Sequence, residues 1–506
     1  MLSSLYRGCD RLTEGLLYFA IVFGPWAFGT TQDWSVHVMN GVGLTLGLLW
    51  LIKLALRTTG ASDDGRQRTD HGTTDHRTIG PLKRSPAVLL GAGTLCILLY
   101  CLVSAWNARA IYQPEQWNFE YLPAIPWLPH SYDRDSSWAA FWMYLALAGL
   151  FWALRDWLLG DHGTTDHRTT DHRTIGPRDH RNTETLKHHP TEAPSPRLPP
   201  RLRRLFWVLA LNGTALALQG LMQRAEGGNQ LLWLVEPQFN QTAETQFGPY
   251  AYRANAAQYF NLLWPAVLGF WWAGARSVRR HRRLAVMLPC VVVMAICPFV
   301  AASRGGAIVV VCNLVMAAGI LALAQWRKSW VAKAWILLGL AGVVGGGALL
   351  GWQTLAPRME MLHEGYEARQ GLYMAGRYMA DDNALFGTGP GTFSTLYQLY
   401  RRDDIGNTDV WLALVAQMHN DWLETRITFG WLGAALIFLT LLLVVAHWFR
   451  GGGIHGNKYF VMLLWVALGG CLVHAFFDFP LQVHSILTLF LILCAVLSCL
   501  SRRETA

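Results

Sequence analysis

The sequence predicts an all-α, polytopic membrane protein of about twelve transmembrane helices, with a large extracytoplasmic loop between the ninth and the tenth. Three observations carry this reading. Hydrophobic residues make up 52% of the 506 and are gathered into long runs, such as Leu284 to Ala302. Runs of roughly 18 or more apolar residues cross a ~30 Å hydrocarbon core as helices, because only a helix or a closed barrel satisfies its own backbone there. Several short loops between runs are rich in Arg and Lys, and two longer polar tracts dilute the apolar average. Among the nine cysteines there is no Cys-x-x-Cys pair, and all but Cys9 lie in apolar runs, so a disulfide frame or zinc site is not expected.

The elements follow in order. Apolar segments fall at about 14–30, 36–56, 86–105, 138–159, 204–222, 256–275, 284–302, 307–326, 334–354, 428–447, 459–476 and 485–500. The basic start (Arg7, Arg11) runs straight into the first two, as in a signal anchor retained in the membrane. Trp326, Trp330 and Trp335 cluster at one boundary, the usual place of interfacial anchors. The loops RSVRRHRR (276–283) and RKSWVAK (327–333) and the tail with Arg502 and Arg503 are basic. With an even number of spans they share a side with both chain ends, and the positive-inside rule makes that side the cytoplasm.

Residues 1–506 read as one membrane domain with two inserted tracts at 57–85 and 160–203. Both tracts carry one repeat, RTDHGTTDHRTIGP at 68–81 and DHGTTDHRTTDHRTIGP at 161–177. Metal binding by His162, His167 and His172 is one reading. The preferred one is a duplicated cytoplasmic low-complexity insertion that stays disordered, because it has almost nothing apolar to bury. The outward connections are about 106–137, 223–255, 303–306 and 355–427, and the last has the mixed composition of a folded periplasmic lid.

Chemistry is expected on that outer face. FGPYAYRANAAQYFNLLWP (247–265) puts Arg253 and Asn255 at the mouth of the sixth helix. ASRGGA (302–307) holds Ser303 and Arg304 in a tight turn for which Gly305 and Gly306 would supply backbone freedom. An Arg near membrane depth is costly unless it snorkels or meets an anion, so Arg304 reads as an anion ligand before an interfacial anchor. GTGPGTF (387–393) lacks the Gly-Lys-Ser/Thr ending of a nucleotide loop. In MHNDWLETRITFGWLG (418–433), His419 is flanked by Asn420 and Asp421. A lone His is usually a packing residue; its company with Arg253 and Arg304 favours a catalytic reading. In HAFFDFPLQVH (474–484), Asp478 reads first as a residue that fixes the turn before Pro480, and second as a site residue.

Together these pieces resemble the O-antigen ligase and Wzy-type polymerase superfamily of bacterial membrane glycosyltransferases, most strongly over 247–484. The resemblance rests on Arg253 and Asn255 at a helix start, on the Ser303–Arg304–Gly305 turn, and on the pattern from Arg369 to Phe393. His419, Asn420 and Leu423, followed by Gly430 and Gly433, complete it. Tyr373 stands where the family commonly has Trp, Ala384 where it has Pro, and Thr428 where an acid is frequent, with Glu424 one helical turn earlier on the same face.

The resemblance implies transfer of a polyprenyl-diphosphate-linked glycan to a hydroxyl acceptor (lipid A core, a glycan repeat or a protein) at the periplasmic face of the bacterial inner membrane. His419 would be the base, and Arg253 and Arg304 would clamp the diphosphate. Ser303, Asn255, Arg369, Asn420, Glu424 and Asp478 would support them. Because Arg neutralises the charge, no metal or other cofactor is implied. Partners are the donor, the acceptor and membrane lipids, with no nucleic acid. The competing class is a lipid-linked oligosaccharide flippase or other carrier; the absence of a clear repeat of the membrane half and of many mid-helix polar residues argues against it.

Overall fold

The computed structural model describes residues 2–67, 86–160, 198–274, 286–325, 330–400, 416–449, 454–455 and 458–501. The chain is an all-α polytopic membrane protein. Helices α1 (Leu2–Trp26), α2 (Asp33–Gln67), α3 (Pro86–Trp106), α4 (Arg134–Leu159), α5 (Pro200–Glu226) and α6 (Arg253–Gly274) form the first half. Then come α7 (Met287–Val300), α8 (Arg304–Ala324), α9 (Trp330–Glu360), α10 (Leu362–Asp382), α11 (Phe393–Tyr400), α12 (Asp421–His447), α13 (Lys458–His474) and α14 (His484–Cys499). The strands are minor: a hairpin of β1 (Ala110–Gln113) with β2 (Asn118–Tyr121), and a two-residue pairing of β3 (Ile454–His455) with β4 (Leu500–Ser501).

Among the described residues, each of the twelve apolar segments is helical over most of its length. Seven of the described helices are long and apolar enough to cross a membrane: α2, α3, α4, α5, α8, α9 and α12. The apolar helices α7, α13 and α14 are shorter, at 14, 17 and 16 residues. At 1.5 Å per residue they fall short of a ~30 Å core alone, and α14 is buried along nearly its whole length. Helix α6 lies at the centre, with every residue from Ala254 to Phe270 buried. This explains how it carries Asn255, Gln258 and Asn261 in an otherwise apolar bundle: the amides face protein and not lipid. Asn261 donates to the Gly306 carbonyl at 2.9 Å, and Asn313 to the Asn261 carbonyl at 3.4 Å, joining α6 to α8.

The structure corrects some boundaries. Helix α9 continues to Glu360 and α12 begins at Asp421, so the long outer connection is shorter than 355–427, and α10 and α11 fold within it. The first part of the tract at 57–85 continues α2 as helix to Gln67, and α5 begins at Pro200, inside 160–203. The repeats at 68–81 and 161–177, the loop 276–283, Trp326, Arg502 and Arg503 lie outside the described residues.

At one end of the bundle, Lys53 is fully buried between Asp156 (2.9 Å) and Asp10 (3.4 Å). Arg57 pairs with Asp156 at 2.5 Å, Arg201 with Asp10 at 2.5 Å, and Arg204 with Glu14 at 2.8 Å. The candidate site is built at the other end.

Candidate active site

Helix α12 is held at its start by three consecutive side chains with different tasks. His419 takes a left-handed φ of 52°, which costs a non-glycine residue on the order of 1 kcal/mol or more. Its carbonyl is held by the Tyr373 hydroxyl at 3.1 Å. Asn420 caps the helix, its side chain accepting from the Leu423 N–H at 3.0 Å. Asp421 ties the helix to the α13–α14 turn: its N–H donates to the Ala475 carbonyl (2.8 Å) and its carboxylate accepts from the Leu481 N–H (2.8 Å). Glu424, buried one turn on, accepts from the Met418 N–H at 2.8 Å and so fixes the backbone that enters His419.

The Asp421 tether brings Asp478 against His419. His419 Nδ1 lies 3.1 Å from Asp478 Oδ1, and the Tyr252 hydroxyl donates to Asp478 Oδ2 at 3.1 Å. The backbone N–H of Phe479 also donates to Asp478 Oδ1 at 3.1 Å, so Asp478 fixes its turn as well as meeting His419. Tyr252 stacks on Phe479 (centroids 5.4 Å apart, 6° between planes), and the His419 ring stands edge-on to Phe479 at 4.8 Å. Burial on its own would raise the carboxyl pKa of Asp478. The hydrogen bond and charge of His419, with His474 and Arg369, outweigh it and hold the pKa below the ordinary value. With a carboxylate facing Nδ1, that nitrogen is the ring donor of the pair, and Nε2 is the ring nitrogen that faces away from it.

Three arginines belong to the elements that frame this pair. Arg369, on α10, donates to the Phe477 carbonyl at 2.5 Å. Burial opposes its charge, but Tyr252 and Asp478 outweigh that and raise its pKa. Arg253 is the first residue of α6, next to Tyr252, and donates to the Glu244 carbonyl at 2.8 Å. Arg304 is the first residue of α8 and donates to the Met361 carbonyl at 2.7 Å. Among the described residues no carboxylate lies within ion-pair distance of any of the three. Each guanidinium keeps donors for another anion.

The Ser303–Arg304 turn differs from its sequence reading. The left-handed residue is Ala302, at φ 55°, while Gly305 and Gly306 sit in the helix. Ser303 caps α8 by accepting from the Gly306 N–H at 3.2 Å. The glycines serve close approach instead: a Cβ on Gly305 would lie 3.1 Å from His474 Nε2, and one on Gly306 2.5 Å from Ala257 Cβ. His474 Nε2 lies in turn 3.9 Å from Asp478 Oδ2, so Gly305 seats Arg304 two contacts from the His419–Asp478 pair. Asn255 is buried in the first turn of α6.

GTGPGTF is a bracket for α12. That helix breaks at Gly430 (φ 59°, ψ −170°), a conformation open only to glycine. The loop repairs the break: Thr388 N–H bonds Ile427 O (2.8 Å), Gly389 N–H bonds Thr428 O (3.0 Å), and Trp431 N–H bonds Ala384 O (2.8 Å). Gly387 and Gly430 pass backbone to backbone; a Cβ on Gly387 would lie 2.5 Å from Gly430 N. Tyr100 donates to the carbonyls of Phe386 (2.5 Å) and Phe429 (2.9 Å) and locks the two segments together.

Sequence reasoning brought His419, Arg253, Arg304, Arg369 and Asp478 forward but missed Tyr252 and Phe479. Only the aromatic character of the stretch around Arg253 and of FFDFP could have hinted at them.

Residues 289–438 match the family model described as O-antigen ligase. Over this stretch the chain is similar to the O-antigen ligase family. The match covers the Ser303–Arg304 turn, Arg369, the glycine loop and His419, and does not reach Arg253 or Asp478. It supports a part in glycan transfer in cell-envelope polysaccharide biosynthesis. No curated protein matches the chain.

Proposed function

We propose that the protein transfers a glycan from a polyprenyl diphosphate carrier to a hydroxyl acceptor, at the face of the bacterial inner membrane turned away from the cytoplasm. The observation that carries the reading is the His419–Asp478 pair at 3.1 Å, with Arg369 beside it and with Arg253 and Arg304, each bonded to a main-chain carbonyl, at the starts of α6 and α8. The similarity to the O-antigen ligase family supports it. The Arg-rich 276–283 loop supports the sidedness, with both termini on the cytoplasmic side.

In this mechanism Nε2 of His419 accepts the proton of the acceptor hydroxyl. The oxygen attacks the anomeric carbon, and the bond to the diphosphate oxygen breaks with its electron pair leaving on the diphosphate. Arg253, Arg304 and Arg369 stabilise that developing charge through bidentate contacts. Asp478 keeps the His419 proton on Nδ1 and steadies the imidazolium that forms. Tyr252 and Phe479 fix the orientation of both.

His419→Ala is expected to lower glycan transfer by about 10²–10⁴-fold at unchanged abundance in the membrane. Full transfer by that variant would remove His419 from the mechanism. The acceptor is read from a deletion strain: single-repeat glycan on the lipid core marks a lost polymerase, and long glycan left on the carrier marks a lost ligase. Undiminished glycan on the core with an unmodified protein target marks a lost protein glycosyltransferase.

A further inference from the structure

The chain leaves α5 through Gly227, whose left-handed φ of 71° ends the helix, and folds into an apolar hairpin before it returns to α6. Leu231 and Val235 bond backbone to backbone at 2.8 and 3.2 Å. Between them Leu232 and Trp233 take left-handed φ values of 53° and 58°. Turns in water are built from Gly, Asn and Asp, which tolerate that conformation; here Leu and Trp are forced into it. The result turns Trp233, Leu234 and Val235 outward at 43, 73 and 46% exposure, with Phe239 beside them at 68%.

The main chain on either side of this hairpin is closed from within. Buried Gln223 donates to the Gln230 carbonyl at 3.0 Å, and buried Gln246 donates to the carbonyls of Asn229 (3.0 Å) and Asn240 (2.7 Å). Arg224 holds the carbonyls of Ala243 and Gln246, both at 2.8 Å. The Trp233 indole N–H donates to Glu226, and Asn229 donates to Glu236. Carbonyls satisfied internally on either side of outward apolar side chains suit a segment at the edge of the hydrocarbon, with exposed Glu236 and Gln238 left toward the headgroups.

Its position agrees. Helix α5 is long and apolar enough to span, and it exposes Leu211, Leu218 and Met222 along one face. The hairpin starts five residues past its end at Glu226, within about 17 Å even for a fully extended chain.

We propose that residues 231–239 form a membrane-inserted lip, with Trp233, Leu234, Val235 and Phe239 seated among the acyl chains of the leaflet at the site end of the bundle. Arg253 is bonded to the Glu244 carbonyl at 2.8 Å, and Arg224 grips Ala243 and Gln246 on either side. The lip therefore sets the depth at which Arg253 meets the bilayer surface.

Nitroxide labelling tests this. Leu234→Cys and Phe239→Cys are each made with Cys96→Ser and Cys312→Ser, which removes the two exposed native thiols. Each is labelled and reconstituted into phosphatidylethanolamine–phosphatidylglycerol vesicles. Leu349→Cys, 87% exposed on the spanning α9, gives the lipid reference, and exposed Glu115→Cys gives the aqueous one. Labels at 234 and 239 are expected to collide with oxygen as at 349 and to be shielded several-fold from a nickel chelate relative to 115. Nickel access equal to that at 115, or shielding from both reagents, overturns the proposal. If one variant fails to insert, the other decides.

Discussion

The two ends of the bundle both gather charge inside an apolar frame, and they handle it in opposite ways. At the Lys53 end the described carboxylates of the cluster each have a cation: Asp10 has Lys53 and Arg201, Asp156 has Lys53 and Arg57, and Glu14 has Arg204. At the His419 end, Arg253 and Arg304 rest on the carbonyls of Glu244 and Met361, and Arg369 on that of Phe477 with Tyr252, Tyr373 and the charge of Asp478 beside it. One end is electrostatically complete. The other has surplus positive charge beside a base, which a diphosphate would complete. Charge that is already paired holds helices together, whereas charge left on main-chain carbonyls is available to a substrate.

Four substitutions sharpen or break that contrast. The largest effect is expected at Asp478→Asn, which reverses the hydrogen-bonding partner of His419 Nδ1 and should cut transfer by about 10²–10⁴-fold. The same variant carries a pH signature. The pKa of Asp478 is held below its ordinary value in the fold, so its stabilisation is present above the unfolded value, near 3.9. It is lost as pH falls further, through the folded value. Thermal melts of wild type and variant should therefore differ at neutral pH and converge as pH drops below about 4. A gap independent of pH would show that the carboxylate charge is not what matters.

Arg304→Gln comes next. Loss of one cationic donor from the leaving-group site should lower transfer by about 10²–10³-fold with the melting temperature almost unchanged. Asp156→Asn should do the reverse. Breaking a buried pair costs about 3–5 kcal/mol, and the Arg57 side chain can turn to solvent, so the lower end is expected. That appears as a lower melting temperature with transfer per folded molecule preserved. Should Asp156→Asn abolish transfer in folded protein, the division of labour fails. The smallest effect belongs to Asn420→Ala, at about 1 kcal/mol for a lost helix cap, read as a modest drop in melting temperature.

Much of the fold was legible because membrane helices announce themselves by run length, and among the described residues each of the twelve apolar runs is helical over most of its length. The site was legible where residue type carries meaning alone: His419 and the arginines stand out against apolar neighbours. Three things were hidden. Asp478 pairs with His419 across 59 residues, a contact set by the Asp421 tether that no spacing encodes. The glycines of the Ser303–Arg304 turn looked like hinge residues, but they are there for contact with His474 and Ala257, which depends on which helices become neighbours. The Lys53 cluster had a faint signal, since Lys53 and Asp156 both lie inside apolar segments. Only the packing of α1, α2, α4 and α5 shows that they belong together.

The bracket around Gly430 also bears on how the chain is made. A helix that breaks within an apolar run exposes carbonyls and amides that lipid cannot satisfy. Tyr100 leaves the ribosome first, residues 384–389 follow, and the broken stretch at 427–432 emerges last. Both partners of the break precede it in synthesis, so the growing chain never waits for a later segment to cover its most vulnerable bonds.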